Sequence, residues 1–238
     1  MQIKYVQITV LALVLALQFL FEHLFPQKKE INNWKNERFN LFIGALNAVL
    51  VFVPAGILVQ WLTFVNTHRL GLLNQWVVPF WLQLLTAVVV LDFWMYAWHQ
   101  FNHRVPFLWK LHRFHHKDEK MNSTTALRFH ALELLLSYPG KALVCTIFGI
   151  GYLPLLVYEV AFFCSVIIHH SNIYISLKAD NRYRLLFASP RMHRIHHSKK
   201  QEETDSNYGG LFSFWDRLFG TWVAEPKGEL VFGVPDEQ

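Results

Sequence analysis

The 238-residue chain is 53% hydrophobic and only 16% charged, whereas soluble domains carry about a quarter charged residues. Disordered, coiled-coil and collagen-like chains are excluded, because each requires more charge or a strict compositional repeat. The formal net charge of +5 does not by itself indicate nucleic-acid binding, since Lys and Arg also mark the cytoplasmic side of membrane proteins. The composition predicts a membrane protein with no nucleic-acid partner.

Four apolar stretches approach or exceed the length needed to cross a bilayer, about 20 residues. They are residues 5–25, 39–67, 76–98 and 134–168. The first lacks a basic leading region and a small-residue cleavage site, so we expect a retained anchor rather than a signal peptide.

Lys and Arg are distributed unevenly among the connecting segments. Residues 26–38, 104–128 and those from 178 onward are rich in both, whereas residues 68–75 contain only Arg69. The positive-inside rule assigns the three rich segments to the cytoplasmic side. We therefore expect an integral, multi-pass protein with its N-terminus outside.

The last apolar stretch is long enough for either one span or two short ones. Both of its flanks are basic, and Gly149, Gly151 and Pro154 supply a turn near its middle. These features favour a hairpin. The predicted fold is an all-α membrane bundle of about five crossings, the last two a short hairpin, with a cytoplasmic helical cap.

Three predicted regions follow from this organisation. Residues 1–75 are predicted to form N-terminal transmembrane helices, residues 76–222 a domain of transmembrane helices plus the cytoplasmic cap, and residues 223–238 a C-terminal tail.

Thirteen histidines are present, and most fall in three short motifs. Residues 99–103 read H-x-x-x-H, and residues 112–116 and 193–197 both read H-x-x-H-H. On a helix, positions i, i+3 and i+4 lie on one face, so each motif is expected to direct its imidazoles at one point. Eight imidazoles exceed one zinc site and suit two metal ions, although iron, copper, nickel and zinc all accept imidazole.

The order of these motifs resembles the fatty acid hydroxylase/sterol desaturase superfamily of integral membrane di-iron oxygenases. Residues 122–133 are similar to the family's R-x-H-P-x-E element, with Ala131 in place of Pro, and residues 170–172 are similar to its H-x-N element. Residues 189–221, which include Asn207-Tyr-Gly, resemble its C-terminal signature. The likeness extends over about residues 92–222.

The resemblance implies two iron ions bound by the motif histidines, with O₂ as co-substrate. It also implies His130 and His170 as additional ligands, with His169 an alternative to His170. The expected ligand set is His99, His103, His112, His115, His116, His130, His170, His193, His196 and His197.

Three polar residues are expected to support the ligands. Asp92 precedes His99 by two helical turns, and a carboxylate there can accept the second N–H of a ligating imidazole. Glu133 follows His130 by three residues and can act in the same way, and Asn172 belongs to the H-x-N element. Glu159 either supports the site or pairs with Lys141.

The predicted activity is O₂-dependent hydroxylation or desaturation of a membrane lipid, such as a fatty acyl chain or sterol, on the cytoplasmic face. The chain has no dinucleotide-binding fingerprint, so a separate electron donor is expected (a ferredoxin, cytochrome or reductase). A membrane protein that binds or transports zinc or copper is the alternative. The sequence leaves the oligomeric state open.

Overall fold

The structure is a computed structural model that describes residues 2–234, with side chains from residue 9 onward. Met1 and residues 235–238, the end of the predicted C-terminal tail, lie outside the described residues. Ten α-helices occur in the described part: α1 Gln2–Leu24, α2 Trp34–Thr67, α3 Phe80–Arg104, α4 Pro106–His116, α5 Ala131–Phe148, α6 Tyr152–His170, α7 Leu177–Tyr183, α8 Pro190–His196, α9 Gln201–Thr204 and α10 Phe214–Leu218. Short 3₁₀ helices lie at Lys29–Ile31, Leu72–Gln75 and Ser123–Leu127. The predicted all-α fold is confirmed.

Four helices, α2, α3, α5 and α6, are long and apolar enough to cross a membrane. Helix α1 is apolar over Thr9–Leu24, a shorter stretch. Helix α2 continues through Pro54, and its neighbours Phe52 and Val53 project outward. Large apolar side chains on the outside of a helix are unfavourable in water and favourable against lipid. The chain has the surface of an integral membrane protein.

Helices α5 and α6 form the expected hairpin. Gly149 ends α5 with a φ of 70°, a left-handed conformation that costs little only without a Cβ atom. Lys141 on α5 donates to Glu159 on α6 at 2.7 Å, so Glu159 pairs with Lys141 rather than supporting the histidines. The hairpin brings the start of α5 and the end of α6 to the same end of the bundle, where α3 also ends.

Asp92, midway along α3, binds the segment that follows α8 to the bundle. Its buried carboxylate accepts hydrogen bonds from the Leu211 and Phe212 backbone N–H groups, the Trp215 indole and the Tyr158 hydroxyl, at 2.8–3.3 Å. The expectation that Asp92 accepts from an imidazole is therefore not met in the structure. Four donors from a distant chain segment and from α6 already use its oxygens.

Asn172 likewise makes contacts different from those expected. Its side-chain amide donates to the Lys28 carbonyl and to Asn32 at 2.8 and 2.9 Å, and its backbone N–H donates to the buried Glu22 carboxylate. These bonds join the end of α6 to the connection between α1 and α2. Asn172 positions the polypeptide that follows His170 and does not contact an imidazole.

The C-terminal segment packs against the connections that follow α1, α4 and α8. The Lys199 N–H donates to the Val231 carbonyl at 2.8 Å, and Phe232 is buried against Ile31 and Met121. Residues of the predicted tail thus cover one side of the α1–α2 connection.

Candidate metal centre

Helices from four parts of the chain end or pass at one point. The last two turns of α3, all of α4, the end of α6 and all of α8 bring together nine buried or half-buried histidines. The alternating directions of the long helices make this possible, because α3 and α6 end where α5 begins. The three motifs therefore lie together in the structure, which they can do only if the chain between the first and the last crosses the bundle an even number of times, as the α5–α6 hairpin does.

The nine histidines form two groups. The five-histidine group contains His99, His103, His112, His116 and His196, and the four-histidine group contains His115, His170, His193 and His197. Within each group, one ring nitrogen from every member lies within 4.8 Å of those of all the others. The groups are adjacent, since the His116 and His197 rings stack with centroids 4.4 Å apart.

The histidines of each H-x-x-H-H motif are divided between the two groups. The expectation that each motif directs its imidazoles at one point is therefore corrected. On α4, His112 and His116 belong to the five-histidine group and His115 to the other; on α8 the pattern is reversed, with only His196 in the five-histidine group. An α-helix turns by about 100° per residue, so positions i and i+4 lie about 40° apart while i+3 lies about 60° to the other side. That spread allows one helix to supply ligands to two neighbouring points.

Most of the five-histidine group is oriented through Nδ1. The Nδ1 atoms of His99 and His196 are bonded to the Tyr208 and Ser206 carbonyls at 2.9 and 2.7 Å, and that of His112 to Glu133 at 2.8 Å. A carbonyl or carboxylate oxygen accepts only from a protonated nitrogen, so these contacts fix the tautomer with Nε2 free to accept. Among the described residues, the buried Nε2 atoms of these three histidines have no hydrogen-bond partner.

The four-histidine group is more closely assembled. Nδ1 of His115 is bonded to the Arg128 carbonyl at 3.2 Å and Nδ1 of His170 to the Val166 carbonyl at 2.7 Å. Their Nε2 atoms, with that of His193, converge, since His170 Nε2 is 3.0 Å from each of the other two. The backbone acceptors again direct Nε2 inward.

Burial keeps five imidazoles of the second and third histidine motifs neutral. Desolvation lowers the pKa of each well below its ordinary value of 6.5, and neighbouring imidazoles lower it further: His115, His116, His193, His196 and His197. A metal binds the neutral imidazole. The site therefore presents ligand-ready nitrogens at neutral pH.

The donor geometry fits transition-metal ions. Imidazole nitrogen binds such ions at about 2.0–2.1 Å, so two ligands at right angles on one ion lie about 3 Å apart. The 3.0 Å separations in the four-histidine group match that spacing. A buried set of imidazole donors selects iron, copper, nickel or zinc over the oxygen-seeking Mg²⁺ and Ca²⁺, and unpaired buried ring nitrogens are costly unless a ligand satisfies them.

The two additional ligands that the resemblance implied, His130 and His170, lie in different places in the structure. His130 is exposed, and its Nδ1 accepts the Leu132 N–H as the N-cap of α5, so its ring lies outside both groups. Of the neighbouring pair at the end of α6, His170 belongs to the four-histidine group, and the buried His169 stacks beside His193 at 4.0 Å. The ligand set itself stays a prediction, now with nine members.

Glu133 supports an imidazole, although not that of His130. Its carboxylate accepts from His112 and from the Asn102 amide at 3.1 Å. The three-residue spacing to His130 suggested the wrong partner because His130 lies before the first turn of α5, whereas Glu133 lies on the face toward α4.

Two residues near the five-histidine group were missed by the sequence reasoning. Asp205 Oδ1 is 3.4 Å from His103 Nδ1, and the buried Tyr208 ring packs against His99, His103 and His196. Tyr208 lies in the Asn207-Tyr-Gly motif, which was noted for its resemblance alone. Nothing in the spacing of Asp205 from the histidine motifs indicated its position.

Comparison with known proteins gives a consistent result. The family described as "Fatty acid hydroxylase" matches residues 84–221. An ornithine lipid hydroxylase, OlsE, from Rhizobium tropici is 27% identical over 225 residues, which cover 89% of this chain and 65% of that protein. An alkylglycerol monooxygenase from Homo sapiens is 30% identical over 155 residues, covering 63% of this chain and 32% of that protein.

A very-long-chain aldehyde decarbonylase, GL1-9, from Oryza sativa subsp. indica is 31% identical over 144 residues, 58% of this chain and 54% of that protein. The chain thus spans less than two thirds of the length of each of these relatives. No solved structure matches. The family match begins within α3 and ends after α10, so it contains all nine clustered histidines.

Proposed function

Because the chain belongs to the fatty acid hydroxylase family, we propose that it is a membrane-bound di-iron oxygenase that hydroxylates a C–H bond of a lipid. The observation that carries this proposal is the pair of buried histidine groups at the end of apolar, lipid-facing helices. Two groups within one core fit two ions, and lipid-facing helices bring an apolar substrate to them.

The five-histidine and four-histidine groups would each hold one iron ion. When bound, the two ions supply the activation of O₂ that breaks an unactivated C–H bond, which amino-acid side chains do not perform alone. The imidazole donor set is compatible with iron, and the family membership favours iron over the other metals that imidazole binds. The relatives' names as hydroxylase and monooxygenase favour oxygen insertion. The decarbonylase name shows that relatives also carry out other lipid chemistry.

The protein contributes orientation and exclusion of water. Glu133 and the Tyr208 and Ser206 carbonyls hold the Nδ1 protons of three imidazoles in the five-histidine group. His115, His116, His196 and His197 are almost fully buried, which protects a reactive centre from solvent. Preorganised ligands also cost no reorganisation when the metal and substrate bind.

The substrate is proposed to be a membrane lipid with a polar headgroup. The names of two relatives, an ornithine lipid hydroxylase and an alkylglycerol monooxygenase, both describe such molecules. A lipid in the bilayer reaches the histidine end of α3 and α6 laterally without leaving the apolar phase. This orientation would place the headgroup near the cap and its chain along the helices.

The cap is proposed to lie on the cytoplasmic side, as the Lys and Arg distribution indicates. Hydroxylation with O₂ consumes two electrons per turnover, and we propose that a separate ferredoxin, cytochrome or reductase delivers them from the cytosol. The N-terminus would then lie outside.

Lipid mass spectrometry under ¹⁸O₂ tests the proposal directly. Cells that express the chain are expected to contain a lipid that gains one ¹⁸O atom, and cells that express His193→Ala are not. His130→Ala is the matched control, because His130 is exposed and outside both groups, and it should retain the product. Iron-replete purified protein with less than one iron per chain, or an unchanged product in His193→Ala, would overturn the assignment.

A further inference from the structure

Large apolar side chains are exposed on two short segments outside the long helices. These segments, residues 177–187 and 211–219, are called the C-terminal lobe below. Leu185 is 71% exposed and Leu218 is 67% exposed. Further exposed members of the lobe are Leu177, Leu186 and Phe219. Such a surface on an element too short to span a membrane is unfavourable in water.

The two segments form one body. The Ser213 N–H donates to the Leu186 carbonyl at 3.0 Å, and Phe187 and Phe212 form an antiparallel bridge. Arg217 further donates to the Arg184 carbonyl. Leu185 and Leu218 therefore belong to the same small surface, although 33 residues separate them in the chain.

The lobe lies beside the middle of α3, well before the end of that helix. Phe93 contacts the rings of Trp215 and Phe219 at 5.2 and 5.6 Å. At 1.5 Å per residue, Phe93 lies about 16 Å before the end of α3 and about 9 Å farther inside than His99. The apolar core of a bilayer is about 30 Å thick. Helix α3, at 25 residues, is long enough to span it, so the lobe reaches below the level of the histidines.

The apolar surface of the lobe continues the lipid-facing surface of the bundle. Phe93 and Val89 on α3 are themselves exposed, and Phe93 is one of the α3 residues that the lobe packs against. A surface that begins on a membrane helix and extends without interruption onto the lobe faces the same solvent, the lipid acyl chains.

Cations surround this apolar surface. Lys178 and Arg182 on α7 are exposed, and no acidic group in the described part of the chain lies within ion-pair distance of either. The only acid on α7, Asp180, is buried and bonded to Ser189. Arg184 and Arg217 stack on Trp222. Arg184 is also paired with Glu225 at 3.3 Å, so among the residues that the structure describes here the unpaired cations are Lys178 and Arg182. An apolar tip with such cations beside it is the pattern of elements that lie in a membrane interface.

We propose that the C-terminal lobe is inserted into the leaflet on the histidine side of the membrane. Leu185, Leu186 and Leu218 lie among acyl chains, while Lys178 and Arg182 contact anionic lipid headgroups. Helix α8 is held between the two segments of the lobe, so this insertion fixes the third histidine motif at a set height in the membrane. The proposal is independent of the reaction that the centre catalyses.

Nitroxide accessibility in nanodiscs tests the insertion. The label is attached to single cysteines in a variant that lacks Cys145 and Cys164, at Leu185→Cys and Leu218→Cys. Val53→Cys is the lipid-exposed reference and Val231→Cys, an exposed apolar site on the C-terminal segment, is the aqueous reference. We expect the ratio of oxygen to nickel-chelate collision rates at both lobe sites to exceed that at Val231→Cys and to lie between it and the ratio at Val53→Cys, which is near the middle of α2. Values equal to Val231→Cys would overturn the proposal.

The headgroup contacts are tested in the same discs. Replacement of phosphatidylcholine by phosphatidylglycerol is expected to move the Leu185→Cys label deeper, and the added pair Lys178→Gln and Arg182→Gln is expected to abolish that shift. If the label still moves deeper in the variant with Lys178→Gln and Arg182→Gln, or if it does not move in the Leu185→Cys parent, then anionic headgroups have no part in the insertion.

The unmodified chain provides a second measurement that does not depend on the folding of variants. Phosphatidylcholine with a photoreactive group in its acyl chain should label residues within 183–186 and 217–219, together with the outer face of α2. Labelling of α2 without labelling of the lobe would show that the lobe lies in water.

Discussion

The two histidine groups are built differently. In the five-histidine group, oxygens at Nδ1 orient His99, His112 and His196, and the acceptors are Glu133 and two carbonyls of the segment after α8. In the four-histidine group, both Nδ1 acceptors are backbone carbonyls, at Arg128 and Val166. The first group therefore depends in part on a side-chain carboxylate, whereas these two contacts of the second group are made by backbone alone. Side-chain replacements should therefore affect the two groups unequally.

The largest effect is expected from loss of a ligand in either group. His116→Ala in the five-histidine group and His193→Ala in the four-histidine group should each abolish product and reduce bound iron from about two to about one per chain. Metal analysis of protein purified after iron-replete expression checks this. Loss of both ions from each variant would mean that the groups form one indivisible site.

Removal of the carboxylate should weaken one group only. Glu133→Ala deletes the acceptor of the His112 Nδ1 proton, and loss of such a partner costs about 10–100-fold in metal affinity. Competition with a chelator should release one ion more readily while the other is retained. Glu202→Ala, which removes an exposed glutamate paired with Lys227, is the control and should leave both affinities unchanged.

Asp92→Asn should act on stability rather than on one metal site. The carboxylate accepts four hydrogen bonds from α6 and from the segment after α8, and loss of a buried partner costs about 1–3 kcal/mol. Thermal unfolding in detergent should shift to lower temperature. Selective loss of one iron at unchanged stability would instead support the direct role that its spacing from His99 suggested.

Metal-free protein should lose stability as the pH falls below about 6.5, the ordinary pKa of histidine. Five imidazoles of the second and third histidine motifs have a lowered pKa in the folded chain, so the unfolded chain takes up protons first and unfolding becomes more favourable. Unfolding temperatures between pH 7.5 and 5 measure this. His115→Gln, with one fewer buried imidazole, should give a shallower slope, and a steeper one would contradict the assignment.

The smallest effect is expected at His130. His130→Ala removes the N-cap contact to Leu132, and loss of a cap costs about 0.5–2 kcal/mol, with an exposed site at the lower end. Iron content and product should not change. A loss of iron in this variant would restore His130 to the ligand set.

The sequence predicted the topology because chemistry constrained it. Three histidine motifs that must meet require an even number of crossings between the first and the last, and residues 134–168 satisfy this as the hairpin of α5 and α6. The basic flanks of that stretch pointed to the same arrangement. The spacing of the histidines and the need for the three motifs to meet were sufficient to predict the hairpin.

Local spacing was insufficient where contacts join distant parts of the chain. The His99 spacing assigned Asp92 to an imidazole, but residues 211–215 reach it from beyond α8. Asp205 approaches His103 through the turn after α9, which no periodicity reveals. The division of each H-x-x-H-H motif between two groups could have been predicted from helix geometry, since positions i+3 and i+4 are separated by about 100° around the helix axis.

The histidines of α4 and those of the α8 motif are each divided between the two groups, and this division links the two groups mechanically. Each helix supplies ligands to both groups, two to one and one to the other, so rotation of either helix about its axis displaces ligands of both ions together. An ion bound in one group restrains that rotation and thereby presents the ligands of its neighbour. If each group binds an ion, binding in one group would therefore favour binding in the other, and the separation of the two histidine groups is set by the backbone of two short helices.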